Sequence, residues 1–315
     1  MRRALPIFVV LAGLLVAIAI VNPYFMEPPA FLAFVKRAAP LVILAAGQYF
    51  VIVSGEFDLS VGSLVTAEVV IAARLIDGSA EATWPVLALL ILLGPLVGLV
   101  NGIVSTVLRV PSFITTLAML LILSGAIFLW TGGAPRGALS PEFREIGRGG
   151  LGPVPWSVVV LVVVAAAAVW TMRARFGHTL IAAGDNDRAA ALSGVRVARV
   201  RTVAFMISGL SAAVAAILLG GFAGVSAQVG QGLEFQAITA VVLGGVVLGG
   251  GRGSVVAAMA GAFTLEALFT LLNLYGVSGA LEPAVQGVII IAAVALGAVS
   301  LPRRNRGRLV MEGKS

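Results

Sequence analysis

The chain of 315 residues contains no cysteine and a single histidine, His178. The absence of cysteine excludes disulfides, thiolate metal sites and thiol nucleophiles, and one histidine cannot build a multi-histidine metal site. Charged residues make up only 11% of the chain and aromatic residues only 7%. Soluble proteins contain about 25% charged residues. The chain therefore has too little polar surface for a soluble protein of this length.

The sequence also lacks the common phosphate-binding and catalytic motifs. It contains no GxxxxGK[ST] segment, so this chain carries no P-loop for ATP. Gly147, Gly149 and Gly152 satisfy GxGxxG, but no predicted strand precedes them, and we interpret them as a loop turn. His178 has no evident partner for nucleophilic catalysis and lies in a basic loop, where a histidine is usually solvated. We expect no catalytic residue, no metal site and no cofactor in this chain.

Long apolar runs dominate what is present, with 60% hydrophobic residues and a mean hydropathy of +1.09. Ten stretches approach the ~20 residues that cross a bilayer. They predict an all-α polytopic membrane protein with about ten transmembrane helices in one permease-sized domain, residues 1–315. The first stretch resembles a signal peptide but continues without a polar cleavage region, and we interpret it as a retained helix. The predicted spans are about 5–21, 38–53, 59–76, 84–108, 112–130, 155–172, 202–223, 235–248, 254–274 and 283–299.

The formal net charge is +7, but the basic residues punctuate apolar runs and form no hydrophilic domain, which argues against a nucleic-acid partner. With a cytoplasmic N-terminus, fifteen of the 21 basic residues fall inside and six outside. This distribution follows the positive-inside rule. Both termini, the basic tail 302–315 and the loop 173–201 are then cytoplasmic. Lys36 and Arg37 fall outside, and we expect them at headgroup level before the second span.

The loop 173–201 is a polar island that holds six arginines and the histidine. Asp185 and Asn186 can cap a short helix over 187–193, the alanines that follow favour helix, and Gly194 can end it. A basic loop bound to lipid headgroups would explain the arginines, but not the cap, the alanines and the glycine. We therefore predict a short helix held just under the membrane.

Several polar residues lie within or between predicted spans. In the segment SGEFDLSVGS, Asp58 followed by Ser60 can cap the next helix or contact a solute, and both roles stay open. Glu68 and Glu266 lie inside spans, where an ionised group costs about 2.5 to 3.5 kcal/mol. Each is either functional or an inward-facing carboxyl at a helix interface. The predicted translocation-pathway residues are Asp58, Ser60, Ser63, Glu68, Asn101 and Glu266.

Two sets of glycines repeat at four-residue spacing, which predicts helix faces where backbones approach closely in lipid. The sets are Gly94, Gly98 and Gly102, and Gly245, Gly249 and Gly253.

Five segments in order carry a resemblance to a known family: GEFDLSVGS at 55–63, VPSFITTLAML at 110–120, WTGG at 130–133, GDNDRAAALSGV at 184–195 and ITAVVLGGVVLGGGRGSV at 238–255. The sequence resembles the membrane permeases of bacterial ABC importers for ribose and other monosaccharides, within the branched-chain amino acid and sugar permease family. Glu56-Phe57 stands where sugar permeases often have Gly-Ile, and Asp185-Asn186-Asp187 replaces the frequent Gly-Asn-Pro or Gly-Asn-Glu. These departures concern the substrate rather than the class.

The resemblance implies one half of a homodimeric or pseudo-dimeric pore in the lipid of a bacterial inner membrane. An ATPase subunit, which binds ATP and Mg, would dock on each coupling loop, and an extracytoplasmic sugar-binding protein would deliver the solute. By matching motif, the ATPase-coupling residues are Gly184, Asp185, Asn186, Ala189, Ala190, Ser193 and Gly194. The alternative is a proton-coupled secondary transporter that uses Glu68 or Glu266. A membrane scaffold or enzyme has no supporting residue cluster.

Overall fold

The computed structural model describes residues 5–277 and 279–300; the predicted basic tail and the N-terminal arginines lie outside them. These residues form thirteen α-helices, two short 3-10 turns and one two-residue β-hairpin, so the all-α prediction is confirmed. In the hairpin, β1 (Gly150–Leu151) pairs antiparallel with β2 (Val154–Pro155). The helices are α1 Leu5–Val21, α2 Pro28–Val53, α3 Val61–Ile76, α4 Ala80–Thr106, α5 Ser112–Thr131, α6 Pro141–Arg148, α7 Trp156–Arg173, α8 Arg175–Asp185, α9 Asp187–Leu192, α10 Val197–Ala223, α11 Leu233–Leu243, α12 Val255–Leu274 and α13 Glu282–Ser300.

Six helices, α2, α4, α5, α7, α10 and α12, are long and apolar enough to cross a membrane. The chain is therefore a multi-pass membrane protein. Each of the ten predicted spans overlaps a helix, but α1 and α11 are shorter apolar helices. The number of about ten crossings stays a prediction.

Helix α10 lies at the centre of the body and packs most extensively against α4 and α2. The glycine face predicted on α4 is confirmed, because a Cβ added at Gly94 would collide with the backbone of Gly209, and one at Gly98 with the backbone of Phe205. The missing side chains let the two long helices approach closely, which strengthens van der Waals packing between them in lipid.

The prediction that Gly245, Gly249 and Gly253 form a helix face is wrong. Helix α11 ends at Leu243, five residues before the predicted end of the span. Gly245 and Gly253 have φ angles of 78° and 150°, which no regular right-handed helix contains. The glycines instead form a turn over 244–254, in which the Gly251 N–H donates to the carbonyl of Val53 at 2.8 Å.

Helix α2 begins at Pro28, ten residues before the predicted second span. Proline suits the first turn of a helix because the missing N–H has no intrahelical partner there. Lys36 and Arg37 consequently lie within α2 rather than ahead of it, which corrects the sequence prediction. The Lys36 Nζ donates to the carbonyl of Arg148 at 2.7 Å. From Ala38 to Val53 the helix is buried throughout.

The connections gather at two ends of the helical body. We call one the Arg201 end; it holds 54–56, 107–111, 174–196 and 244–254, which contact one another through Arg201, Gly184 and Gly251. We call the other the Arg37 end; it holds 77–79, 132–155, 275–277 and 279–281. From α2 to α7 the two groups alternate along the chain, as expected for helices that cross the body repeatedly. Between 174–196 and 244–254, both at the Arg201 end, the chain runs through α10, the 224–232 connection and α11.

Candidate functional site

Helix α3 begins inside the body rather than at its end. The non-helical segment 54–60, called here the α3 break, begins with a turn at Ser54 and Gly55 and leads from α2 into the interior. Ser208 of α10 donates to Oδ2 of Asp58 at 2.9 Å. Ser208 lies seven residues beyond Arg201, which places it about 10 Å further along α10. Helix α3 is therefore a partial-length helix whose N-terminus lies within the protein.

Asp58 fixes the start of α3. Its Oδ1 accepts the N–H of Ser60 at 3.0 Å and the Ser60 hydroxyl at 2.6 Å. Asn101 of α4 donates to Ser60 Oγ at 2.9 Å, and Ser63 Oγ donates to the Ser60 carbonyl. Asp58 and Ser60 are each 1% exposed. The carboxylate lies at the positive end of the helix dipole, as the capping interpretation predicts, although the Ser60 side chain bonds to Asp58 and Asn101 instead of capping α3 itself.

Helix α11 begins inside the body in a similar way. The connection before it reaches α3, where the Gly230 N–H donates to Thr66 Oγ1 at 3.0 Å. Gly62 of α3 lies directly against the Gly230 carbonyl and the Glu234 carboxylate, and a Cβ there would collide with both. Glu234 is buried in the first turn of α11. Two partial-length helices thus meet near their N-termini, each with a buried carboxylate at its start.

The predicted pathway residues separate into three places. Four of them lie together at the start of α3. Glu68 is buried further along α3, and neither of its carboxylate oxygens has a hydrogen-bond partner among the described residues. Glu266 lies at the Arg37 end, where its Oε1 accepts from Arg37 Nε at 2.7 Å. The residues that the structure brings together are Asp58, Ser60, Ser63 and Asn101.

The short helix predicted in the loop 173–201 is confirmed as α9, Asp187–Leu192, one residue shorter than predicted. Asn186 caps it, since its Oδ1 accepts the Ala189 N–H at 3.0 Å. Gly194 follows the helix with a φ of 85°, the left-handed conformation that glycine adopts readily. At its C-terminal end Leu192 is 91% exposed. A rigid helix therefore presents an uncovered apolar side chain.

Helix α8 attaches this segment to the body. Gly184 lies so close to the Val53 carbonyl and the Gly251 N–H that a Cβ would overlap both. Because Val53 ends α2 and Gly251 belongs to the 244–254 turn, three separate segments meet at Gly184. A side chain larger than hydrogen would push them apart.

Arg201 of α10 joins the same segments through its guanidinium group. Its Nε donates to the Ser54 carbonyl at 3.2 Å, and its Nη2 donates to the Ala183 carbonyl at 3.4 Å. Its Nη1 lies 3.1 Å from Glu56 Oε1, and its Nη2 lies 4.0 Å from Asp187 Oδ2. The guanidinium thus bonds α8 and the α3 break to α10, and it lies at ion-pair distance from α9. In the sequence alone this arginine is only one of the charges that indicate topology.

A cavity of about 490 Å³ adjoins Arg201, between the α4–α5 connection and α9. Charged side chains line it from both sides, namely Glu56, Arg109, Asp187, Arg188 and Arg201. Over residues 5–277 and 279–300, no three His, Cys, Asp or Glu side chains gather in the manner of metal ligands. The described segments at this end are held together by close packing, hydrogen bonds and ion pairs.

Comparison with known proteins decides the family. A family model described as "Branched-chain amino acid transport system / permease component" matches residues 30–294. The chain belongs to this permease family. The permease is 34% identical over 292 residues to the ribose import permease protein RbsC of Bacillus subtilis strain 168, which covers 90% of this chain and 89% of that protein.

Two further relatives agree. The permease is 35% identical over 294 residues to RbsC of Escherichia coli K12, with 90% of this chain and 91% of the relative covered. It is 33% identical over 301 residues to the autoinducer 2 import system permease protein LsrC of Enterobacter sp. strain 638, with 94% and 86% covered. No solved structure matches the permease. The resemblance to sugar ABC importer permeases is therefore confirmed.

Proposed function

We propose that this permease is the pore subunit of an ATP-driven ABC importer for a monosaccharide or a related small polar solute. The observation that carries the proposal is that Arg201 bonds the α3 break to α8, which leads directly into α9, and lies at ion-pair distance from Asp187 of α9. A capped surface helix that is tied to a broken helix inside the body is suited to pass a push from a partner into the membrane. The printed names of the relatives, ribose import and autoinducer 2 import permeases, support the solute class.

ATPase subunits, which bind the ATP and Mg, dock on α9 in this proposal. The exposed Leu192 supplies an apolar side chain for a groove in the ATPase, and the Asn186 cap keeps the helix in one shape. The coupling unit consists of Gly184, Asp185, Asn186, Ala189, Ala190, Ser193 and Gly194 within the loop 173–201.

Movement of α9 reaches the pore by two routes. One runs from Asp187 through Arg201 to Glu56 of the α3 break, and the other from Gly184 to the end of α2 at Val53. The difference in docking energy between the two nucleotide states of the ATPase must exceed the cost of reorienting the helices. Because Asp58 and its partners are buried, they take part in the pathway only when α3 moves.

The Arg201 end faces the cytoplasm of a bacterium in this proposal, with both termini on that side, because the predicted ten-span topology assigns fifteen of the 21 basic residues to the cytoplasmic side. The sugar-binding protein delivers its solute at the Arg37 end, from outside the inner membrane. A second permease chain, expected to be identical, completes the pore. The largely exposed helices α5 and α7 supply surface for that chain and for lipid.

Reconstitution tests the proposal. The permease is purified from native membranes, the co-purifying ATPase and binding protein are identified by mass spectrometry, and D-ribose uptake into vesicles is measured with and without ATP. Gly194→Pro is expected to abolish ATP-dependent uptake, because proline cannot adopt the positive φ at that position. Gly194→Asn serves as the matched control, since asparagine tolerates the left-handed conformation.

Unchanged uptake in the Gly194→Pro variant would count against the coupling assignment. Uptake that continues without any ATPase and collapses with a protonophore would instead support the secondary transporter that uses Glu68 or Glu266.

A further inference from the structure

A cavity of about 550 Å³ opens at the Arg37 end between α2, α11, α12 and α13. Its volume lies within the range of about 300 to 1,000 Å³ that is usual for small-molecule sites. The polar side chains that line it come from all four helices. They are Arg37, Gln236, Glu266, Thr270, Asn273 and Glu282.

Arg37 is held in a fixed position within the cavity wall. Its Nε donates to Glu266 Oε1 and its Nη2 donates to Thr270 Oγ1, both at 2.7 Å. The Thr270 hydroxyl donates in turn to the Glu266 backbone carbonyl at 2.8 Å. These contacts leave Arg37 Nη1 and Glu266 Oε2 without a bond to any described residue. The N–H groups of Nη1 and the oxygen Oε2 are therefore oriented in advance and remain free to bond to a ligand.

Three more polar side chains in the wall, Gln236, Asn273 and Glu282, form no hydrogen bond with a described residue. Each carboxamide offers two donors and one acceptor, and the carboxylate offers acceptors. Phe269, which is 5% exposed, adds an apolar surface beside them. Unused hydrogen-bonding capacity from three helices therefore converges on one space.

We propose that this cavity binds one neutral polyhydroxylated solute, a monosaccharide or a sugar alcohol, as a subsite of the permease itself. The inference rests on the proposed function. A hydroxyl both donates and accepts, so a polyol can satisfy the guanidinium, the carboxylates and the carboxamides together. A carboxylate ligand would compete with Glu266 for Arg37 and face Glu282. An apolar ligand would desolvate these groups without replacing their hydrogen bonds.

The absence of cysteine from the whole chain makes the test direct. Asn273→Cys introduces a single thiol into the cavity wall, and its rate of modification by a charged methanethiosulfonate reagent is measured in nanodiscs, where both faces are accessible. Saturating D-ribose is expected to slow modification by about threefold or more, since occupied sites are shielded. Ala227→Cys, an exposed position in the 224–232 connection outside the cavity, is the matched control and is expected to react at one rate throughout.

Adding Glu266→Gln to the Asn273→Cys chain is expected to raise the half-protecting concentration of D-ribose several-fold, while thermal unfolding of the double variant confirms that it is folded. L-leucine is expected to give no protection, and equal protection by L-leucine would overturn the polyhydroxylated class. Equal modification rates with and without D-ribose, D-galactose and D-mannitol, for protein that shows ATP-dependent uptake when the same purified complex is placed in closed vesicles, would overturn the subsite and leave the proposed function standing. Protection in a preparation without ATP-dependent uptake would support the subsite and count against the importer.

Discussion

Arg201 and Arg37 bridge helices at opposite ends of the permease, and they do so differently. Arg201 is 20% exposed and bonds to two backbone carbonyls as well as to Glu56. Arg37 is 49% exposed and, within the described chain, bonds only to the side chains of Glu266 and Thr270. Bonds to backbone carry a displacement of one segment directly into another, whereas a pair of side chains can exchange partners with a solute. In the proposed function the Arg201 end transmits movement and the Arg37 end binds the solute.

The largest effect is expected from Gly184→Ala, which tests whether the Arg201 end is as tightly closed as the geometry implies. The added methyl group overlaps the Val53 carbonyl, and overpacking of this kind costs about 3 kcal/mol in the free energy of unfolding. Gly125→Ala on α5 is the matched control, because nothing lies within 4 Å of its Cβ position. Thermal unfolding in detergent measures both. Equal unfolding temperatures for the two variants would show that the segments around Gly184 can move apart at little cost in free energy.

Arg201→Gln is expected to have the next largest effect, because it leaves the largely buried Glu56 carboxylate without its partner. The loss is about 2 kcal/mol in unfolding free energy, as for hydrogen bonds to charged groups. Uptake by the reconstituted importer should fall by about tenfold or more if a comparable energy is lost from the coupling route. Arg199→Gln, an exposed arginine two residues away, is the control.

A double-mutant cycle sharpens this result. Glu56→Gln combined with Arg201→Gln should cost less than the sum of the single variants, since both remove the same ion pair. Additive losses would mean that the 3.1 Å contact contributes nothing and that Arg201 acts through the backbone carbonyls alone.

Features with local signals were predicted correctly from the sequence. The cap at Asn186, the alanines and Gly194 lie within nine residues of one another, and they determine α9 without help from the rest of the fold. The predicted start of α2 and the predicted end of α11 were wrong. At the start of α2, counting apolar residues does not detect a helix that continues through Lys36 and Arg37. The same count does not detect a glycine turn that interrupts an apolar run.

The features of the candidate site also divide into those with a local sequence signal and those that depend on distant packing. The capping of the start of α3 by Asp58, whose Oδ1 accepts the N–H of Ser60 two residues on, was predicted from the sequence. The bond from Ser208 to Asp58 spans 150 residues and depends on how α10 packs, so no local pattern indicated it. Glu234 was missed because it lies at the predicted start of a span. The glycines at 230 and 232 just before it were the available signal for a second broken helix.

Asn186→Ala should affect only the Arg201 end. Loss of the cap exposes an unpaired N–H at Ala189 and costs about 1 kcal/mol of local helix stability. We expect ATP-dependent uptake to fall several-fold while protection of Asn273→Cys by D-ribose is unchanged. Asn186→Ser keeps a capping oxygen and should retain uptake. A change in D-ribose protection on loss of the cap would show that the two ends are not independent.

Glu266→Gln should have the smallest effect on stability, because an ion pair as exposed as that with Arg37 contributes about 0 to 1 kcal/mol. Salt screens exposed pairs, so the small difference in unfolding temperature between Glu266→Gln and the parent should disappear at high ionic strength. The larger shift from Arg201→Gln should persist there, since its bonds to two carbonyls and a largely buried carboxylate are less accessible to ions. Thermal unfolding of both variants at low and high salt makes the comparison. A salt-resistant loss in Glu266→Gln as large as that in Arg201→Gln would mean that Arg37 clamps α2 to α12 as firmly as Arg201 clamps its own segments, and the distinction between the two ends would fail.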